Sequence, residues 1–364
     1  MIKYLGSKRR LVPVIGALFA ASGARTALDL FTGTTRVAQE LKRRGAHVTA
    51  VDLARYSEVF ARCYIETDGH AIDASELEAA IAVLDALPGE PGYVTETFCR
   101  ASRFFQPHNG ERIDAIRDAI ERGYRGSPWY PILLTSLLEA ADRVDSTTGV
   151  QMAYVKQWSA RSHQPLRLRV PELLAGTGIA IRADASSLVA ALPAFDFAYL
   201  DPPYNQHRYD ANYHIWETLV AWDEPEHYGV ACKRIELRDR TRRSAFNSRP
   251  AMPDALRRVV ETVDAEIVVL SYNDESWVAF DELVDMCASR GHVQVLAYDS
   301  KRYVGAQIGI HNPRGERVGR PGRARNVEYL VVSGDRSLVA RTVAAAPGPD
   351  AAVLASNVSV GTGR

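Results

Sequence analysis

The tetrapeptide Asp201-Pro202-Pro203-Tyr204 closes an apolar run, Phe195-Asp196-Phe197-Ala198-Tyr199-Leu200, that reads as a buried strand. Ligands of open α/β sheets bind at the C-terminal edge of such strands. The Pro-Pro step has restricted dihedrals and therefore aims the Pro202 carbonyl in a narrow range of directions. A carboxylate beside a fixed carbonyl can accept both N–H hydrogens of an exocyclic amino group on a base. That nitrogen is a poor nucleophile, because its lone pair is delocalised into the ring. Pulling it toward tetrahedral geometry frees the lone pair to attack a sulfonium methyl. In this chemistry Asp201 is the carboxylate, Pro202 supplies the carbonyl, Pro203 fixes the step, and Tyr204 stacks on a base flipped out of its helix. The plainer reading is a strand-terminating turn. The position after a strand and downstream of a nucleotide-binding unit favours the chemical one.

That upstream unit begins with Thr26-Ala-Leu-Asp-Leu-Phe31, a short buried strand, followed by the turn Thr32-Gly33-Thr34-Thr35. Residues 36–44 carry apolar positions at helical spacing, with Gly45 as a cap, and residues 46–52 form a second strand ending in Asp52. Strand, glycine turn, helix, strand and acid make the first unit of a doubly wound nucleotide-binding sheet. Phe31 and Gly33 would bring backbone close to S-adenosylmethionine, and Asp52 would hold the ribose hydroxyls. Asp184, after a later strand at 179–184, could accept from the adenine amino group of the cofactor. A lone glycine turn is weak evidence; with Asp52 at the expected distance it carries more.

The N-terminal Lys3-Tyr4-Leu5-Gly6-Ser7-Lys8 is, taken alone, only a basic start to the chain. The three pieces in this order resemble the Dam-like family of adenine-N6 DNA methyltransferases. In that family a Tyr/Trp-x-Gly-x-Lys motif precedes the glycine motif, and a target-recognition region separates both from Asp-Pro-Pro-Tyr. The resemblance covers most of residues 1–335. It implies that Tyr4 and Lys8 contact the cofactor near its methionine portion, that Asp52 binds it, and that Asp201 serves both cofactor and target. Tyr213–Glu217, Leu270–Asn273, Phe104–Gly110 and Thr148–Val150 also look like family segments. One position departs from the pattern. The usual Phe-x-Gly-x-Gly has Thr35 in place of its second glycine, which leaves an inactive homologue as an alternative.

Helical periodicity at Ala74–Leu87, Arg112–Glu121 and Tyr130–Val144 interrupts the sheet signals, which resume at 179–184, 195–200, 266–272, 292–298 and 327–333. The expected architecture is a Rossmann-like α/β methyltransferase sheet with a helical insertion. Residues 1–60 and 176–335 would be catalytic and 61–175 would recognise the target. Residues 336–364, rich in Ala, Gly, Pro and Ser toward the end, would be a disordered tail.

The formal net charge is zero over 364 residues, so composition alone does not announce a polyanion partner. The distribution says more: residues 231–249 hold seven basic side chains against two acids, and residues 301–325 hold seven against one. Arg161, Arg167, Arg169, Arg242, Arg243, Lys301 and Arg302 are the candidate contacts to double-stranded DNA; solvated loops are the alternative for each island. Trp129, Tyr130 and Trp158 fit core packing better than a wedge for the gap left by a flipped base. His207, His214 and His227 lack metal-ligand spacing, and no metal is expected. The four cysteines are scattered without a CxxC pair, no apolar run approaches the roughly 18 residues of a membrane span, and no export signal opens the chain, so a cytoplasmic protein is expected. The lack of a Pro-Cys motif argues against carbon-5 cytosine chemistry. Cytosine N4, an RNA substrate, or a non-catalytic DNA-binding homologue remain as alternatives. Pairing with a cognate restriction endonuclease is implied by the resemblance alone, and the sequence fixes neither recognition site nor oligomeric state.

Overall fold

A computed structural model describes residues 2–4, 8–203, 208–239, 243–274, 276–301, 325–346 and 352–354. The strands are β1 (Thr26–Leu30), β2 (His47–Asp52), β3 (Ile179–Arg182), β4 (Phe195–Leu200), β5 (His227–Tyr228), β6 (Lys233–Arg234), β7 (Ala265–Asn273), β8 (His292–Lys301), β9 (Arg325–Gly334) and β10 (Ala352–Leu354). The helices are α1 (Val12–Ser22), α2 (Arg36–Arg43), α3 (Arg55–Ala61), α4 (Ala74–Asp85), α5 (Pro107–Tyr124), α6 (Tyr130–Val144), α7 (Ala185–Leu188), α8 (Tyr209–Asn212), α9 (His214–Ala221), α10 (Met252–Thr262), α11 (Phe280–Ala288) and α12 (Arg336–Ala344). Strands and helices alternate as in a Rossmann-like methyltransferase fold.

The chain divides into two compact units, one of Met1–Ser7, Thr32–Ala183 and Arg208–Arg243, the other of Lys8–Phe31, Asp184–His207 and Ser244–Arg364. These boundaries differ from a division at 61–175. The helical stretch shares its unit with β2 and β3, because α3 packs on both strands as well as on α6 and α9.

In the second unit the strand order is β10-β8-β9-β7-β4-β1. β1, β4 and β7 run parallel, with Leu30 opposite Leu200 and Leu200 opposite Leu270. Their interiors are fully buried (Leu28 and Leu30, Phe197 and Ala198, Ile267 to Leu270), which is why these strands read as continuous apolar runs rather than alternating ones. β9 runs antiparallel to β7, and β8 antiparallel to β9. The start of β9 therefore lies level with the end of β7, and Glu328 pairs with Asn273. The register turns at Gly334, whose φ is 154°. A Cβ there would lie 2.4 Å from the Glu266 carbonyl oxygen, so only glycine fits.

The tail expected to be disordered from 336 onward instead begins with α12. Asp335 caps it, accepting from the backbone N–H of Ser337 at 2.8 Å and of Leu338 at 3.1 Å, and Val339, Thr342 and Val343 are buried. Arg341 donates to the carbonyls of Ala21 and Ser22 at the end of α1. An alanine-rich segment can look too weakly apolar to fold when the helix that receives it lies more than 300 residues away. Residues 347–351 and 355–364 lie outside the described residues.

In the first unit β2 and β3 are parallel, with Asp52 opposite Arg182. α5 packs on α6 and starts at Pro107, five residues ahead of the predicted Arg112. Proline is tolerated in a first turn. The early turn is held by Asn109, whose buried amide donates to the Ser162 and Gln164 carbonyls while its oxygen accepts from Leu166 N–H. Two π-helical turns, Arg62–Glu66 and Thr95–Arg100, were not anticipated from periodicity. No helix among the described residues is long and apolar enough to cross a membrane, and the four cysteines are buried free thiols.

Candidate active site

In the second unit Asp201 follows directly on β4, its N–H 3.4 Å from the Leu30 carbonyl, and Pro202 and Pro203 continue the chain past the strand end. The buried Lys8 ammonium lies 3.2 Å from Asp201 Oδ1 and 3.3 Å from Glu328 Oε2, so one cation serves two carboxylates. Burial pushes the Asp201 carboxyl up to about 6. Lys8 opposes that shift and Glu328 adds to it. The Tyr199 hydroxyl, also buried, is raised well above its ordinary range, by burial first and then by Asp201.

Phe31 and Asp184 belong to the same unit. Phe31 has φ 78°, a conformation uncommon for a side chain with a Cβ, and its ring packs edge-on against Phe246 at 4.8 Å. Asp184 caps α7: one oxygen accepts from the Ser186 N–H at 3.0 Å and the other from the Ser244 hydroxyl at 2.6 Å. Its carboxylate thus already has two structural partners, and any ligand must use its remaining lone pairs.

In the first unit Asp52 ends β2. Its Oδ2 accepts from Gly33 N–H at 2.8 Å and its Oδ1 from Ala54 N–H at 2.9 Å. Burial raises its carboxyl, and the hydrogen bonds from Ala54 and Gly33 counter that. Gly33 has φ 53°, and a Cβ there would press on the Tyr4 ring at 3.1 Å, so the absent side chain makes room for Tyr4. Tyr4 packs on Tyr213 at 4.7 Å and on Tyr209 at 5.3 Å, two rings that also stack on each other at 6.3 Å, and its hydroxyl lies 3.3 Å from that of Tyr56. Sequence reading singled out Tyr4 and the segment that starts at Tyr213, but not their association, because Tyr4, Tyr56 and the Tyr209/Tyr213 pair come from three distant stretches of the chain.

Thr35, where the family pattern has glycine, sits at φ 61° and is fully buried. A β-branched residue there costs about 1–2 kcal/mol. Two hydrogen bonds offset that cost: Thr35 Oγ1 donates to the Thr34 carbonyl at 2.7 Å and accepts from Gln39 Nε2 at 2.9 Å. Thr35→Val should lower stability by about 2 kcal/mol, since it keeps the backbone cost and leaves the buried Gln39 amide unsatisfied. Thr35→Gly should cost less, because it also relieves the backbone. Thermal denaturation that ranked the glycine variant below the valine variant would contradict this reading of the loop.

The candidate DNA-binding residues are scattered. Arg161 is engaged internally: Nε donates to the Asp145 carbonyl at 2.8 Å, and Nη2 reaches Asp145 Oδ1 and the Thr147 carbonyl, each at 2.5 Å. Arg167 is largely exposed and lies 3.3 Å from Asp85; Arg169 is exposed, with its backbone fastened to the Ser136 hydroxyl. Arg143, which sequence reading passed over, joins them, donating to the Arg167 carbonyl at 3.0 Å. Arg243 is exposed. Tyr204, Arg242 and Arg302 lie outside the described residues, as do Leu5, Gly6, Ser7 and His207; Lys301 ends β8, but its side chain is outside them too. His214 is buried and pushed down to about 3 by that burial, so it is a neutral core group bonded to the Gln151 carbonyl at 2.9 Å.

Alternating strands and helices with Asp-Pro-Pro at a strand end are the pattern of a methyl-transferring class of enzyme. The model of D12 class N6 adenine-specific DNA methyltransferases matches residues 4–286, and the chain belongs to that family. It is 29% identical over 318 residues to type II methyltransferase M.NlaIII of Neisseria lactamica, covering 83% of this chain and 92% of that protein. It is 29% identical over 322 residues to type II methyltransferase M.CviAII of Paramecium bursaria Chlorella virus 1, with the same coverage. Against type II methyltransferase M.FokI of Planomicrobium okeanokoites it is 26% identical over 312 residues, 80% of this chain but 47% of that longer protein. The chain is thus an adenine-specific DNA methyltransferase that uses a methyl donor.

Glu328 is the feature of the site that sequence reading missed altogether. It lies 127 residues after Asp201 in no motif, and only the antiparallel course of β9 brings it to the edge where β7 ends.

Proposed function

We propose that the methyl donor is S-adenosylmethionine and that this chain transfers its methyl group to the N6 nitrogen of an adenine flipped out of double-stranded DNA. The buried carboxylate of Asp52 at the end of β2, fastened to the glycine turn through Gly33 N–H, suits the ribose of such a cofactor. The cofactor supplies an electrophilic methyl on a sulfonium. Tyr4, Lys8, Phe31, Gly33, Asp52, Asp184 and Asp201 are the residues assigned to hold it.

Asp201 and the Pro202 carbonyl accept the two N6 hydrogens and free the nitrogen lone pair. With its lone pair freed by these two acceptors, the nitrogen would take the methyl group that the cofactor would supply, the sulfur keeping the electrons of its C–S bond. The surplus proton on nitrogen passes to Asp201, whose raised proton affinity suits it to receive one. Proximity and in-line alignment supply most of the rate. Tyr204 is assigned the stacking face for the flipped base.

Arg143, Arg167, Arg169 and Arg243 are assigned to the phosphate backbone, with Arg242, Lys301 and Arg302 as further contacts and Arg161 as the brace of the 145–161 loop. Residues 61–175 would select the target sequence. The names of the relatives support a place in a restriction–modification pair, with a cognate endonuclease cutting the unmethylated site in the same cytoplasm.

The observation that carries this reading is Asp201 at the end of β4, held by Lys8. It predicts the pH dependence. A carboxyl raised to about 6 must be ionised to accept N–H, so kcat/KM should fall tenfold per pH unit below about 6 and level off above it. Steady-state rates with labelled S-adenosylmethionine and duplex DNA measure this. A profile flat down to pH 4.5 would remove Asp201 from the acceptor role.

A further inference from the structure

We propose that Glu328 is a positioning residue for methyl transfer: from β9 it shares the Lys8 ammonium with Asp201 and so sets how readily Asp201 takes and gives up a proton. This rests on the acceptor role of Asp201 given above.

Three buried or half-buried charges meet at one sheet edge. Lys8 comes from the segment ahead of α1, Asp201 from the end of β4 and Glu328 from the start of β9. Their side chains are 6%, 18% and 14% exposed, so solvent screens them weakly. Lys8 is nearly equidistant from the two carboxylates, at 3.2 and 3.3 Å. An ammonium bound to Asp201 alone would hold that carboxylate ionised and occupied as an ion pair, a poor proton acceptor. A second carboxylate divides the cation's attraction and adds a like charge, both of which raise the proton affinity of Asp201. Among the described residues the other titratable groups here are Tyr199, on the strand that leads to Asp201, and Asp29 on β1, which acts on Tyr199. Glu328 adds its charge to the upward push on Asp201 that burial begins and Lys8 opposes. No motif marks Glu328, yet the geometry gives it a defined sign of action.

The sign separates this role from a structural one. Glu328→Gln keeps the size of the side chain and removes its charge, and with it the like-charge push on Asp201, so Asp201 should titrate about one unit lower. Lys8→Met removes the cation, so Asp201 should titrate higher. Glu328→Asp should stay near the parent value. The direct readout is the carboxyl 13C resonance of Asp201 in aspartate-labelled full-length protein, assigned by its loss in Asp201→Asn and followed from pH 3.5 to 8. This needs neither cofactor nor turnover, so it stands whether or not methyl transfer is observed. In the transfer assay the acid limb of kcat/KM should move in the same directions, with KM for DNA unchanged in Glu328→Gln. Opposite shifts in Glu328→Gln and Lys8→Met support the proposal. An Asp201 resonance that titrates at the same pH in the parent and in Glu328→Gln overturns it, even if that variant is slow.

Discussion

Asp201→Asn is expected to lower kcat at least about 1,000-fold while leaving the protein folded and able to bind cofactor. The asparagine keeps the shape of the carboxylate but loses its charge, and its amide nitrogen donates where the carboxylate accepted. One preorganised hydrogen-bonding group aimed at developing charge is worth about 3–4 kcal/mol, or some hundred- to thousandfold in rate. Here the same substitution also removes one of the two carboxylates described beside the buried Lys8. The backbone of β4 is left intact, since Asp201 sits beyond its end, and the size of the side chain is kept. Single-turnover rates at saturating cofactor and DNA measure the effect. A loss under tenfold would mean that another group takes the N6 hydrogens.

Asp52→Ala should show the complementary signature. It should weaken S-adenosylmethionine binding at least about 100-fold, roughly 2.7 kcal/mol, with kcat at saturation within about fivefold of the parent. The carboxylate accepts from Gly33 N–H and Ala54 N–H, so its removal orphans two backbone donors and loosens the turn that approaches the cofactor. It also removes the acceptor assigned to the ribose, where hydrogen bonds to a charged group contribute about 1.5–3 kcal/mol. Calorimetric titration of cofactor into both variants would separate the residues, with the loss of affinity much larger in Asp52→Ala than in Asp201→Asn. Equal affinity in the parent and Asp52→Ala would put the cofactor elsewhere.

Much of this site was legible before any coordinates. Asp201-Pro202-Pro203 and Asp52 are found by local rules, because each ends an apolar strand and the sheet edge is where such a fold binds ligands. Tyr4 and Lys8 came from family resemblance. Their partners could not be read, since Tyr56, Tyr209 and Tyr213 gather around Tyr4 from α3, α8 and the start of α9, and Glu328 arrives on an antiparallel strand. Thr35 looked like a defect in the glycine motif. The structure explains it as a strained residue with two compensating hydrogen bonds, a trade that spacing cannot reveal. Arg161 has a structural partner that spacing does not show. A basic side chain near a target-recognition stretch invites a DNA assignment, but its charge is met by Asp145 inside the protein. The helix α12 was missed because its apolar positions are few and its support, α1, lies at the far end of the chain.

The most direct test is to incubate the purified chain with methyl-labelled S-adenosylmethionine and unmethylated duplex DNA, digest to nucleosides and identify the labelled product by mass spectrometry, with RNA in parallel and Asp201→Asn as control. N6-methyldeoxyadenosine from DNA that vanishes in the variant is the predicted result. Label on cytosine N4, label on RNA alone, or N6-methyldeoxyadenosine that persists undiminished in Asp201→Asn would contradict it.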